Sequence, residues 1–409
     1  MSTRVTAEDD PAVRLPATPA ESYRELVELD RARSVRWAKR VESPARLDPT
    51  PLDLEMLALI ASMRHVLTSQ LHRRFNPERA ATTTQRRLKR LSDAGLVERF
   101  QFHRRDGGGV PMCYVITAAG VELLAASGIP QIYVDDPAET GRLQSTSARK
   151  SGEGRLRQAA HDAHVAGWAL ALAQLDGGAW ARLRGPAESV LSPPLRSTPG
   201  GKAPLSPGEL RLPGGRAPHD FMRTAANGER VEVERFDTIR PDATVELPAR
   251  QGEPESDASH AAAIDVLVEL DDRLPVARAA GKLERYDHFL AGWSVHTSRY
   301  GRRVDAVPVV VFVCRDPARA RRCATHADSL LGACRAYAGE YPADWDYPGR
   351  DLILFASERD IHEGLARAYG VPRLPREVRA SAAGGDPRAG HARAEPREIP
   401  ARRLVVGRS

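Results

Sequence analysis

Apolar positions along the chain change period several times, and each change marks an element. After a polar, Pro-rich start, residues 21–41 offer one amphipathic helical pattern. In Pro51–Ile60 a spacing of three to four puts Leu52, Met56, Leu59 and Ile60 on one helical face. Thr68 then reads as the N-cap of a short helix carrying Leu71 and Phe75, which Pro77 ends. A third helix covers Thr82–Leu91, with Leu88 and Leu91 turned to the core and Gly95 placed for its C′ position. Leu96–Phe102 and Met112–Ile116 alternate as strands around the turn Arg104–Gly109, and Thr117 caps a last helix through Leu124. Three helices followed by a hairpin is the order of a winged helix-turn-helix.

Farther along, a long helical pattern runs from Arg155 to Leu175. Strand-like runs follow at 230–236, 241–247, 264–270, 307–313 and 351–356, with helical patterns at 275–293 and 317–338. The expected fold is therefore α+β to α/β, a winged helix-turn-helix followed by an α/β domain with a mixed central sheet. Residues 1–46 form a flexible arm with one helix, 47–126 the first domain, and 127–154 a Ser/Gly/Thr-rich linker. The α/β domain occupies 155–374, with loop inserts at 192–218 and 248–262, and 375–409 is an Ala/Gly/Pro/Arg-rich disordered tail.

Composition adds little until it is localised. The 409 residues carry a formal charge of +6, compatible with a polyanionic partner without requiring one. Between residues 72 and 105, however, ten Arg or Lys face three acids. On the third helix, Thr82, Thr83, Arg86, Lys89 and Arg90 share the face opposite Leu88 and Leu91. Hydroxyls for phosphates and forked cations for guanine edges are what a helix in a major groove needs. Arg104 and Arg105 at the hairpin tip would add wing contacts, so the expected partner is double-stranded DNA. A solvated basic face and a winged helix used for protein docking are the competing readings, and a homodimer is compatible with either. Arg402, Arg403 and Arg408 in the tail read as solvated, with nonspecific phosphate contacts the alternative.

No apolar run approaches the roughly 20 residues that span a bilayer, and Met1–Ala20 lacks the apolar stretch of a signal peptide. A cytoplasmic protein without membrane contact is expected. Four cysteines, at 113, 314, 323 and 334, show no C-x-x-C spacing and read as reduced thiols, not as zinc ligands.

In the run Ile264–Asp271, alternation puts Val266, Val268 and Leu270 on one face and Asp265, Leu267, Glu269 and Asp271 on the other. Carboxylates two apart on a strand, joined by Asp242 at the start of a neighbouring strand, could hold Mg²⁺ through oxygen. Lys282 falls on the apolar stripe of the following helix, with Leu283, Tyr286, Phe289 and Leu290. A buried ammonium needs a partner, and Glu269 and Asp271 are the natural ones. Only five of the chain's basic residues are lysine, so its use here suggests a compact charge is required. Tyr286 reads as core sooner than as a nucleophile. His161 and His164 lie on a helix, without the His-x-His spacing of strand-borne metal sites, and read as capping or core contacts. His161, at the entrance to the second domain, is the better candidate for a functional one.

Pro241-Asp242, the Glu269 strand and a lysine together resemble the PD-(D/E)XK nuclease core. The sequence departs from that pattern at Asp271, where the usual motif has lysine, and Lys282 fits the variant in which the following helix delivers it. The resemblance implies Mg²⁺ held by Asp242 and Glu269 activating water, with Lys282 stabilising phosphate charge. Asp242, Glu269, Asp271 and Lys282 are thus the candidate catalytic residues. If Lys282 only neutralises Asp271, the fold is inactive. Over about 50–370 the chain resembles the replication-relaxation family of plasmids and mobile elements. The resemblance rests on the winged helix, the His161-Asp162-Ala163-His164-Val165 helix, Pro241-Asp242, and the Glu269–Asp271 strand with the Lys282–Tyr286 helix. It implies a role in plasmid replication and in relaxing plasmid DNA. Three functions stay open: a DNA-binding replication or mobilisation protein, a metal-dependent endonuclease, and a non-enzymatic transcriptional regulator whose α/β domain only binds partners.

Overall fold

The computed structural model describes residues 36–37, 45–102, 112–129, 153–174, 179–192, 195–198, 201–204, 222–224, 230–232, 238–248, 263–271, 281–283, 285–286, 289–290, 297, 299–300, 306–333, 352–358, 368–370 and 398–399.

A two-residue strand, β1 (Arg36–Trp37), comes first, so these residues are extended where the sequence suggested a helix over 21–41. Trp37 and Arg36 pair with Phe100 and Gln101, so the edge of a neighbouring strand, and not a helical face, recruits them. Helix α1 (Pro51–Met63) starts at a Thr50–Asp53 capping box with Pro51 in its first turn. It buries Met56, Leu57, Ile60 and Met63, while Leu52 and Leu59 are half-buried, so the apolar face lies slightly around from the predicted one.

Strand β2 (Val66–Leu67) leads into α2 (Thr68–Phe75). Thr68 is the first helical residue and not the cap. Leu67 holds the N-cap position, and the Gln70 side chain takes its backbone N–H at 2.9 Å. Helix α3 (Ala81–Asp93) ends at Ala94, and Gly95 follows at φ 71°, the left-handed geometry that glycine adopts without strain. Strands β3 (Val97–Gln101) and β4 (Met112–Ile116) pair antiparallel, in a sheet ordered β1-β3-β4-β2. Helix α4 (Ala118–Ala126) is capped by Thr117, which accepts from the Gly120 N–H, as its position predicts.

Helix α5 (Glu153–Ala173) opens the second part, followed by β5 (Arg182–Arg184). The expected loop 192–218 contains a hairpin, β6 (Leu195–Thr198) paired antiparallel with β7 (Gly201–Pro204). A second hairpin joins β8 (Met222–Thr224) to β9 (Arg230–Glu232). The main sheet takes β10 (Ala243–Leu247), β11 (Ala263–Asp271), β12 (Ala306–Cys314) and β13 (Ile353–Ser357), with α6 (Pro317–Ala333) between the last two. Two short strands complete it, β14 (Ala368–Gly370) and β15 (Glu398–Ile399). Glu398 and Ile399 are therefore paired residues inside the tail expected to lack structure.

The sheet order is β15-β14-β13-β12-β11-β10-β5, with β11, β12 and β13 parallel and the other pairings antiparallel. The chain is thus α+β with a mixed sheet. Parallel strands buried on both faces read as near-continuous apolar runs, which Val309-Val310-Val311-Phe312-Val313 shows. Val266, Val268, Leu270, Val309, Val311 and Val313 face α5. Leu267, Val310, Phe312 and Phe355 face the other way, toward Leu283, Tyr286, Phe289 and α6. The face assignment read from alternation in Ile264–Asp271 holds.

The helix–hairpin part and the sheet share one apolar cluster, running from Met56 and Leu88 through Trp168 to Val266. Polar contacts stitch the same junction. His65 Nδ1 lies 2.7 Å from Asp162 Oδ2, Gln70 donates to the Ala163 carbonyl at 2.8 Å, and the Arg74 guanidinium sits 4.4 Å over the Trp180 ring. The two parts are packed together through α5, beyond what the chain connection alone imposes. Among the described residues no helix is long and apolar enough to cross a membrane.

Candidate functional site

Two surfaces carry chemistry. The first is α3, whose orientation follows from four inward anchors. Leu88 and Leu91 are fully buried. The buried Thr84 hydroxyl accepts from Asn76 Nδ2 at 3.1 Å. Arg87, the basic residue nearest the core, is turned back to α1, donating to Asp53 Oδ1 at 2.8 Å and to Thr50 Oγ1 at 2.9 Å. With those positions fixed, Thr82, Thr83, Arg86, Lys89 and Arg90 are all exposed. Lys89 also meets Asp93 at 2.6 Å, one turn on, in an exposed pair of small energetic weight. Arg104 and Arg105, the expected wing residues, lie outside the described residues.

The second is an acidic site at the junction of α5, β10 and β11. Ala243 pairs with Val268, so Asp242, one residue earlier, comes alongside Glu269 on the neighbouring strand. Like charges abreast on adjacent strands repel. Asp242 is restrained by its own contacts: its Oδ2 accepts the Leu270 N–H at 2.8 Å, and Oδ1 lies 3.3 Å from His161 Nε2 on α5. Glu269 is almost wholly buried, and both of its oxygens are held. Lys282 forms an ion pair with Oε2, and the Tyr286 hydroxyl donates to Oε1 at 2.6 Å.

The electrostatics follow from that geometry. Burial, reinforced by the Asp242 charge, pushes the Glu269 carboxyl up to about 7, although Lys282 and Tyr286 pull the other way. At Asp242 burial also acts upward, but the His161 hydrogen bond, with the His161 and Lys282 charges, outweighs it and holds the carboxyl below its ordinary value. His161 is raised: burial disfavours its charged form, and the Asp242 hydrogen bond and charge overcome that. Burial pushes the Tyr286 hydroxyl far up, so it stays a donor.

Asp242, Glu269 and Lys282 therefore come together as the sequence suggested. Asp271 does not join them as a partner of Lys282. Arg319 on α6 grips it through Nε at 2.7 Å and Nη2 at 3.1 Å, because Asp271 ends β11 directly beneath the first turn of α6. His161 and Tyr286 belong to the site although the residues' periodicity favoured core or capping roles for both. His164 is buried and turns Nδ1 to the Ala160 carbonyl at 2.6 Å, a local contact one turn back.

A family model for replication-relaxation proteins matches residues 57–304, more than half of the chain. The chain belongs to the replication-relaxation family. No curated protein and no solved structure matches it. In this family member the matched span takes in all of α3 and every residue of the acidic site, from His161 on α5 to Tyr286.

The donor set suits a hard divalent cation. Asp242 and Glu269 offer carboxylate oxygens side by side, the donor type that such a cation takes. Mg²⁺ bound there would be held by Asp242 and Glu269, and would supply a Lewis acid for phosphoryl oxygen and an acidified water. His161 would keep Asp242 ionised, and Tyr286 would fix the Glu269 carboxylate plane.

Proposed function

We propose that this replication-relaxation protein binds duplex DNA through a winged helix, with α3 as its recognition helix, in plasmid or mobile-element replication and DNA relaxation. The carrying observation is the exposed face Thr82, Thr83, Arg86, Lys89 and Arg90 on a helix anchored from behind by Leu88, Leu91 and Arg87. In that arrangement the hydroxyls near the start of the helix meet phosphates and the arginines reach guanine edges. The hairpin β3–β4 takes the position of the wing, and Arg104 and Arg105 would contact the adjacent backbone. Two copies on a two-fold symmetric target would fit this mode.

The α/β part is read as PD-(D/E)XK-like, with Mg²⁺ on Asp242 and Glu269, and with Lys282 stabilising charge that develops on phosphate. Asp271 drops out of the catalytic set, since Arg319 already neutralises it. Supercoiled plasmid incubated with the protein and Mg²⁺, beside Asp242→Ala and Lys282→Ala, tests the enzymatic part. Relaxed or linear product from the wild type alone supports it; plasmid that stays supercoiled with every divalent metal removes it.

One observation favours a second reading. Lys282 and Tyr286 already satisfy both Glu269 oxygens, as in a structural ion pair. In that case the α/β part is inactive, and the protein is a transcriptional regulator whose second part binds a partner.

A further inference from the structure

Two residues beyond Glu269 lies a cluster that the acidic site does not use. Asp271 ends β11, and the register sets it beside Cys314, the last residue of β12. Cys323 reaches the same point from α6, and all three residues are buried. Cys323 Sγ is 3.4 Å from Asp271 Oδ2, and Cys314 Sγ is 3.9 Å from the same oxygen. One donor atom from each residue falls within 4.8 Å of the other two.

We propose that Asp271, Cys314 and Cys323 form a binding site for a thiophilic divalent metal of the zinc class, separate from the all-oxygen site at Asp242 and Glu269. Geometry is the first argument. A tetrahedral zinc with Zn–S of about 2.3 Å and Zn–O of about 2.1 Å has a sulfur–oxygen edge of about 3.6 Å. The two separations to Asp271 Oδ2 bracket that value, so neither sulfur–oxygen edge need change by more than tenths of an ångström.

Charge is the second argument. Two thiolates and one carboxylate carry three negative charges, and the metal with the Arg319 guanidinium carries three positive ones. The buried cluster is neutral with the metal bound, as it is without it, when both cysteines are thiols and Arg319 balances Asp271. Binding makes three metal–ligand bonds, and the two thiol protons leave to solvent. Arg319 need not move, because Asp271 Oδ2 has a lone pair for the metal beside the one that accepts from Nε, and Nη2 keeps Oδ1. Such a partner behind a ligating carboxylate fixes its orientation.

The consequence is mechanical. The metal would clamp the first turns of α6 to the ends of β11 and β12, one side chain along from Glu269. The missing fourth ligand leaves a position for water.

The full chain, reduced with a phosphine and freed of metal by chelator dialysis, is titrated with Co²⁺ and followed by absorption. The expected result is one equivalent giving the visible bands of tetrahedral cobalt with thiolate charge transfer, bleached by Zn²⁺. Cys314→Ser and Cys323→Ser should each weaken binding by at least about tenfold and remove charge-transfer intensity. Asp242→Ala and Cys113→Ser should leave the spectrum unchanged, which separates this site from the Mg²⁺ reading. Native mass spectrometry of the wild type, one zinc gained for two protons lost, keeps the test open if a serine variant misfolds. Absent tetrahedral bands, bands that persist in both cysteine variants, or a Cys314–Cys323 disulfide forming in place of metal binding would each overturn the proposal.

Discussion

The Tyr286 hydroxyl donates to Glu269 Oε1 at 2.6 Å, while Lys282 holds the other oxygen of that carboxylate. A side chain that periodicity assigns to the core is thus also the positioning group of a buried acid. Tyr286→Phe keeps the ring in its apolar cluster but leaves Oε1 unpaired. Its expected cost is about 1–3 kcal/mol of stability, that of a buried acceptor without its donor. Urea denaturation at pH 7 measures it, and an unchanged midpoint would remove the contact from the account.

Asp53 carries three jobs in one carboxylate. Its oxygens accept from the Thr50 N–H at 2.9 Å, the Thr50 hydroxyl at 2.7 Å and Arg87 at 2.8 Å. Burial acts to raise its carboxyl, and these contacts more than reverse that, holding it below its ordinary value. A depressed folded-state value gives stability that is present above the unfolded value of 3.8 and is lost as pH falls through the folded one. Asp53→Ala should lower stability by about 1–2 kcal/mol near neutrality, the range of a lost helix cap. The deficit should shrink as the solution is acidified, which thermal melts from pH 7 to pH 3 would show.

Gly185 packs against α1 with no room for a side chain. A Cβ there would meet the Ser62 carbonyl oxygen at 1.7 Å and its carbon at 2.3 Å, both backbone atoms of α1. The same glycine donates its N–H to Ser62 Oγ at 2.8 Å. Gly185→Ala must therefore push α1 away from β5. It should destabilise by more than about 3 kcal/mol, toward the severe end for single substitutions, with loss of soluble protein as the simplest readout.

Glu188 sits beside that contact and has the opposite pH sign to Asp53. Burial raises its carboxyl above the ordinary value, against hydrogen bonds from Ser62 and Gly185. A raised carboxyl favours the protonated folded state, so wild-type stability falls as pH rises from 4.5 through the folded value. The amide oxygen of Glu188→Gln can still accept from Ser62 Oγ, now 2.9 Å from Oε2, without the charge. The variant's stability relative to wild type should therefore increase across that window and level off above it. A difference independent of pH would contradict the sign.

Much of this was legible in the chain. The period of Leu88 and Leu91 fixed which side of α3 is exposed, and alternation through Val266, Val268 and Leu270 sorted both faces of β11. Glu269 with Lys282 followed from the rule that a buried cation needs an anion. What escaped were partners set by register and by elements far apart. Nothing local in Asp271 says that Arg319, 48 residues on, will claim it before Lys282 does. Arg87 looks like one more member of a basic helix until α1 brings Asp53 beneath it. His161 meets Asp242 only because α5 crosses the start of β10. Cys314 and Cys323 lack finger spacing because one ends a strand and the other lies on the next helix, and the turn between them sets their proximity.

The exposed face of α3 is tested most directly by duplex affinity across a salt series. Fluorescence anisotropy would compare wild type with Arg86→Ala/Arg90→Ala, two exposed positions whose loss should leave the fold intact. Binding should weaken by at least about tenfold at moderate salt, and the slope of log affinity against log salt should fall to the extent that either guanidinium also neutralises a phosphate. Unchanged affinity and slope in the double variant would contradict the assignment of α3 as the DNA-reading helix.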